Sequence, residues 1–118
     1  MPAVQTQTCT WSGKSGTQYT YYVHELPITF DPDQAGNYIY TKINQNGNWV
    51  PVYIGEGDLR GRVSDDHHQA RCIKSKGATH VHAHKNGSAS ARKNEETDLL
   101  ENYSNAYQPF GCNVKEGG

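Results

Sequence analysis

The chain has 118 residues, of which 19% are charged, and a formal net charge of −1; its pI is near 6.6 and its mean hydropathy −0.87. That length allows one domain, 1–118, with a modest core, and without a basic balance overall charge does not point to nucleic acid, though local clusters still can. No apolar run approaches the roughly 18 residues that a membrane span needs, and the opening MPAVQTQTCTWSG has no apolar stretch of the kind a secretory signal carries.

In chain order, Thr8 to Leu26 alternates and is rich in Thr, Tyr, Trp and Val, with turn residues from Ser12 to Gly16. This pattern predicts an N-terminal β-hairpin, with the segment 8–30 as an extension. Asp31-Pro32-Asp33 marks a turn. Tyr38–Ile43 and Trp49–Ile54 read as two strands around Asn46-Gly47, a strong hairpin signal. Pairing Tyr38 directly with Tyr53 leaves Asn44–Gly47 as a four-residue loop and puts both phenols on one face. Pro51 would force an edge position or a bulge. Asp58 is a candidate N-cap for a helix from Leu59 to about Ile73, weakened by Gly61. Thr79 to His84 alternates and predicts another strand, and a further helix fits from about Ala91 to Ala106, ended by Pro109. The fold class is therefore α+β, with a small, mostly antiparallel sheet flanked by helices. The cysteines are Cys9, Cys72 and Cys112. An odd, sparse set argues against a disulfide framework and for a reducing cytoplasm.

Two short runs, Gly36-Asn37-Tyr38 and Tyr53-Ile54-Gly55, stand on these two facing strands. Arg62 follows on the next helix and Glu96 on a later one, and Pro109 and Asn113 come after that helix. In this order, the residues from 35 to 114 resemble the catalytic domain of the GIY-YIG nuclease family. "GDLRGRV" resembles the family's leucine, two variable residues and arginine, which selects Arg62 over Arg60. "NEETDLLENY" resembles its glutamate separated by two residues from an aliphatic pair, which selects Glu96 over Glu95.

The resemblance implies a metal-dependent endonuclease that hydrolyses phosphodiester bonds in DNA, leaving a 5′-phosphate and a 3′-hydroxyl. The residue types suit that chemistry. Glu96 is a hard oxygen ligand for Mg²⁺ or Mn²⁺, which needs few carboxylates because it keeps several waters. Arg62 can hold a phosphate bidentately and oppose charge in the transition state. Tyr53 is the candidate general base; a free phenol titrates near 10, so a neighbour must favour its ionised form. Tyr38 would orient the water or share its proton, Gly36 and Gly55 would keep the approach open, and Asn113 would brace backbone. The family commonly places a His or Tyr one helical turn after the arginine. Here Asp66 stands four residues on and His67 five, about 140° away round an ideal helix. Both remain candidates for that position.

Read singly, two tyrosines are an ordinary packed pair, Arg62 a solvated charge and Glu96 an exposed helix acid. The ordered set is what favours the site. A non-cleaving nucleic-acid-binding module on the same fold is the alternative. His67, His68, Cys72, His80, His82 and His84 raise zinc, but no spacing fits a zinc finger; a surface strand face lined by His80, His82 and His84 is the plainer reading. Lys74, Lys76, Lys85, Arg92 and Lys93 flank this region as a candidate nucleic-acid-binding cluster, against an ordinary solvated face. Target specificity, DNA versus RNA and nicking versus double-strand cutting stay open. A homodimer or a separate DNA-targeting partner would supply what a single site lacks.

Overall fold

The Thr/Tyr alternation of the first segment pairs as a hairpin of β1 (Thr8–Ser12) and β2 (Gln18–Glu25) in the structure, a computed structural model that describes residues 7–114. β3 (Ala35–Ile43), β4 (Trp49–Asp58) and β5 (His80–Lys85) complete a five-stranded sheet of order β1-β2-β5-β3-β4, antiparallel at every pairing. The N-terminal hairpin is thus a continuation of the sheet, joined to it through β5. The domain is α+β, and none of the helices among the described residues is long and apolar enough to cross a membrane.

Both faces of the sheet are buried over its centre. On one face Tyr38, Tyr40, Val81 and Ala83 pack with Leu59, Val63 and Ile73. On the other, Trp11, Tyr21, Ile39 and Ile54 pack with Leu99 and Ala106. The second face is covered by α3 (Ala89–Asn102), capped by Ser88, whose hydroxyl accepts from the Ala91 N–H at 3.2 Å. Asp98 of α3 holds the β1–β2 turn: its carboxylate accepts from the Ser15 N–H at 2.8 Å and from the Tyr19 hydroxyl at 2.7 Å.

The predicted β3–β4 register is corrected. Tyr38 lies opposite Gly55 and Tyr53 opposite Tyr40, with an irregularity after Tyr40 that passes over Val52 and pairs Thr41 with Pro51. Pro51 has no N–H for the ladder, so the strand bulges beside it and lies at the sheet edge. The connecting loop is Asn44–Asn48, five residues rather than four. Asn44 Oδ1 accepts from the N–H groups of Asn46 and Asn48, and Gly47 supplies φ +80°.

The single helix expected from Leu59 to Ile73 is broken into α1 (Leu59–Arg62) and α2 (Ala70–Ser75). Asp58 does cap α1, accepting from the Gly61 N–H at 3.2 Å. The break follows from "VSDD": the Ser64 hydroxyl donates back to the Gly61 carbonyl and accepts from the Asp66 N–H. Short polar side chains here offer the backbone an alternative to the helical ladder. α2 ends at Gly77 with φ +81°, its N–H on the Lys74 carbonyl and that of Ala78 on the Ile73 carbonyl, a Schellman ending.

The cysteine expectation also needs correction. Cys72 of α2 and Cys112 of the C-terminal segment are disulfide-bonded, with Cα atoms 5.9 Å apart, and Cys9 is free. The bond closes 40 residues of sequence, so no local spacing announced it. It removes the ground on which the cysteine count pointed to a reducing compartment.

Candidate active site

A cavity of about 670 Å³ opens beside the outer edge of β4, lined among others by Tyr38, Tyr53, Arg62, His68, Glu96 and Asn113. Residues spread over 75 positions of sequence meet there because β3 and β4 supply the tyrosines, α1 the arginine, α3 the glutamate and the C-terminal segment the asparagine. Although the register differs from the one predicted, Tyr38 and Tyr53 do share a face. They are diagonal neighbours, with rings stacked at 6.1 Å between centroids and 17° between planes. Gly55 makes this possible. A Cβ there would stand 2.5 Å from Cζ and Oη of Tyr38 and 2.8 Å from Cε1 of Tyr53, so only glycine lets the Tyr38 ring lie across the neighbouring strand. Gly36 has a different role from the expected one. It is buried where β3 meets β5 and α1, against the His84 carbonyl and Leu59, and is absent from the cavity lining.

Asn113 braces backbone. Its Oδ1 accepts from the Ile54 N–H at 2.8 Å and its Nδ2 donates to the Ile54 carbonyl at 2.9 Å. The amide thereby satisfies the outward-facing peptide groups of the edge strand, next to Tyr53. Cys112 adds an N–H to the Val52 carbonyl at 2.7 Å, and its disulfide to Cys72 ties this brace to α2.

The break between α1 and α2 decides the position after Arg62. Asp66 is exposed, whereas His67 is 6% exposed and turned onto the tyrosines. His67 Nδ1 accepts from the Gln69 N–H at 2.9 Å, so Nε2 carries the proton of the neutral ring and donates to Tyr38 Oη at 2.9 Å. Burial foremost, then His68 and Arg62, push the His67 pKa down to about 4, which keeps it neutral. Tyr38 is held well above the usual phenol range, chiefly by burial and then by Tyr53, against a smaller opposite pull from Arg62. Tyr53 is raised too, by burial and Glu96, with Arg62 and Tyr38 opposing. Both phenols therefore rest protonated.

The sequence reading missed His68 as a site residue. Its Nε2 lies 3.4 Å from Tyr53 Oη, its ring stacks on His67 at 4.5 Å, and it lines the cavity. Its adjacency to His67 was the available signal, but an unbroken helix would have sent the two rings about 100° apart.

Other candidates fall elsewhere. Glu95, next to Glu96, is buried on the far side of the sheet, where its Oε2 accepts from the Tyr21 hydroxyl and meets His84 Nε2 at 2.6 Å. The expected surface of histidines is corrected: β5 is a central strand, and His82 is fully buried, its Nδ1 accepting from Trp11 Nε1 at 3.0 Å. Cys72 is spent on its disulfide, and no group of three or more His, Cys, Asp or Glu able to hold a metal occurs among the described residues. Glu56 and Glu101 line the cavity beside Glu96, with Glu56 paired to Arg92; a few carboxylates that do not converge as a ligand group are a donor set that suits a largely hydrated Mg²⁺ or Mn²⁺ and not a zinc ion, which takes three or four protein ligands.

The basic cluster does not form as one patch. Lys74 and Lys76 lie at the end of α2 that leads into β5, while Lys85 ends β5 and Arg92 and Lys93 follow it in α3, about 17 Å away along the strand. Lys74 is 3.4 Å from Asp65, and Lys76 donates to the Pro109 carbonyl. Arg92 is half-buried, its Nε on Glu56 at 2.9 Å and its Nη1 on the Asn86 carbonyl at 3.0 Å, so it is committed to structure. Lys85 and Lys93 are exposed.

No protein-family model matches the chain, and no curated protein or solved structure is significantly similar to it.

Proposed function

We propose that the chain is a metal-dependent endonuclease of the GIY-YIG kind, hydrolysing phosphodiester bonds in nucleic acid. The observation that carries this reading is the meeting of Tyr38, Tyr53, Arg62 and Glu96 in one cavity, where Arg62 and Glu96 both act electrostatically on both phenols.

Arg62, exposed at the cavity rim, binds the phosphate through its guanidinium and opposes the charge that grows on the phosphoryl oxygens. Tyr53 Oη takes the proton of the attacking water as its own proton leaves to His68 Nε2, the imidazole 3.4 Å away. Catalytic hydrogen bonds commonly shorten once substrate is bound, which is what this contact requires. Tyr38 keeps its proton. Because its oxygen accepts from His67, its O–H is left to donate, towards Tyr53 or the water. Glu96 would hold Mg²⁺ or Mn²⁺, which when bound supplies charge neutralisation at the phosphate and at the leaving oxygen. Asn113 keeps the Tyr53–Ile54 edge from shifting.

A plasmid-nicking assay with Mg²⁺ or Mn²⁺ and with EDTA tests this. Glu96→Ala and Arg62→Ala are each expected to lower nicking by about 100-fold or more, as loss of one transition-state charge contact does, and EDTA to abolish it. Cleavage unchanged in both variants sinks the assignment. Retained nucleic-acid binding without cleavage by the wild type would instead favour the non-cleaving module.

A further inference from the structure

The helices cover one face of the sheet unevenly. α1 packs on β3 and β4, but on that same face the N-terminal hairpin presents Thr8, Thr10, Thr20 and Tyr22 to solvent. Tyr22, in the middle of β2, is 49% exposed. A second cavity, of about 680 Å³, lies against this bare area, lined by Thr20, Tyr22, His24, Phe30, Gln34 and Lys85, with Leu59 behind them. His24 and Phe30 meet edge to face at 5.1 Å between centroids. Three ring systems are thus gathered around one hollow beside the exposed ammonium of Lys85.

The register relates this hollow to the tyrosines. Tyr22 pairs with Ala83, Ala83 with Tyr38 and Tyr38 with Gly55, one straight row across four strands with all side chains on one face. Tyr22 is two strand spacings from Tyr38, about 10 Å, or about three stacked base steps. α1 stands between the two cavities, with Leu59 lining one and Arg62 the other.

We propose that the Tyr22–His24–Phe30 face is a base-stacking platform for an unpaired nucleic-acid strand, so that the substrate carries single-stranded nucleotides next to the bond that is cut. The choice of bases as occupant rests on the phosphodiester reading of the neighbouring cavity. Aromatic rings with a cation at the rim are what single strands require, since every base offers a π-face and every nucleotide a phosphate. Inside a duplex every base face is already stacked on its neighbours.

The test is the affinity for a fluorescein-labelled oligothymidylate, measured by anisotropy in EDTA at fixed ionic strength, so that no cleavage is needed. The wild type, Tyr22→Ala and Tyr22→Phe are compared on this strand, on an abasic strand of the same length and on a blunt duplex. Tyr22 is half exposed, so its truncation spares the core. Tyr22→Ala should weaken single-strand binding roughly 5- to 100-fold, Tyr22→Phe should preserve it, and the abasic strand and duplex should show no dependence on Tyr22. Equal affinities of wild type and Tyr22→Ala for the thymidylate overturn the proposal, as does an equal loss on the abasic strand. Binding of no strand, with self-association lost in Tyr22→Ala, would give the face to a second copy of the chain instead. If the platform result holds while Mg²⁺-dependent nicking fails, the nuclease reading falls alone; the reverse outcome removes only the platform.

Discussion

Replacing His67 by Gln tests the buried contact at the centre of the site without assuming any activity. Gln keeps an N–H that can donate to Tyr38 but does not titrate. In the folded chain the His67 pKa is pushed down to about 4 from 6.5. Above pH 6.5 the ring is neutral in both states and adds no pH dependence. As pH falls below that, the unfolded chain binds a proton that the folded one refuses, so stability is lost until about pH 4. The slope is about 1.4 kcal/mol per pH unit, so about 2 kcal/mol has gone by about pH 5. His82, also pushed down to about 4, and His24, lowered by burial, act in the same direction. His84, raised chiefly by Glu95, acts in the opposite one. These three are common to both proteins and cancel in the difference. Urea unfolding of wild type and His67→Gln at about pH 7.5 and about pH 5 should therefore show the wild type's advantage shrinking by about 2 kcal/mol at the lower pH. An advantage that stays constant between the two would mean that His67 titrates normally, and that its neutral ring is not held against Tyr38.

Gly55→Ala should cost about 1–3 kcal/mol in thermal denaturation, because the new Cβ collides with both tyrosine rings. Nicking should fall about 100-fold, since a ring displacement near 1 Å is enough to misalign the reacting groups; wild-type nicking by this variant would show that the stacked pair is not needed. Asn113→Ala should lose about 2 kcal/mol in urea unfolding, because it orphans both the N–H and the carbonyl of Ile54 at once. Unchanged stability there would mean that water already serves that strand edge.

What the sequence by itself determined is what local chemistry records. The alternation of Thr8–Leu26 and the Asn46-Gly47 turn specified their hairpins, and Asp58 marks a real helix start. The family resemblance that selected Glu96 over Glu95 picked the residue that lines the cavity, and its neighbour points about 100° away round the helix. Tertiary structure decided the rest. Nothing in "HVHAHK" says that the strand inserts between β2 and β3 and buries His82, since an alternating run reads alike at an edge and at a centre. The bulge at Val52 was foreshadowed by Pro51, but its effect on which tyrosine faces which required the paired strand. Helical periodicity carried Leu59 through to Ile73, yet Ser64 and the burial of His67 broke the helix and put His67 and His68 on the two tyrosines. Lysines and arginines near in sequence were separated by the length of β5, and Cys72 found Cys112 across 40 residues. Periodicity and capping depend on neighbours a few residues away, so one chain segment contains them. Burial of a polar ring, pairing of two thiols and the lining of a cavity depend on groups brought from distant segments, and those exist only once the sheet has closed around them.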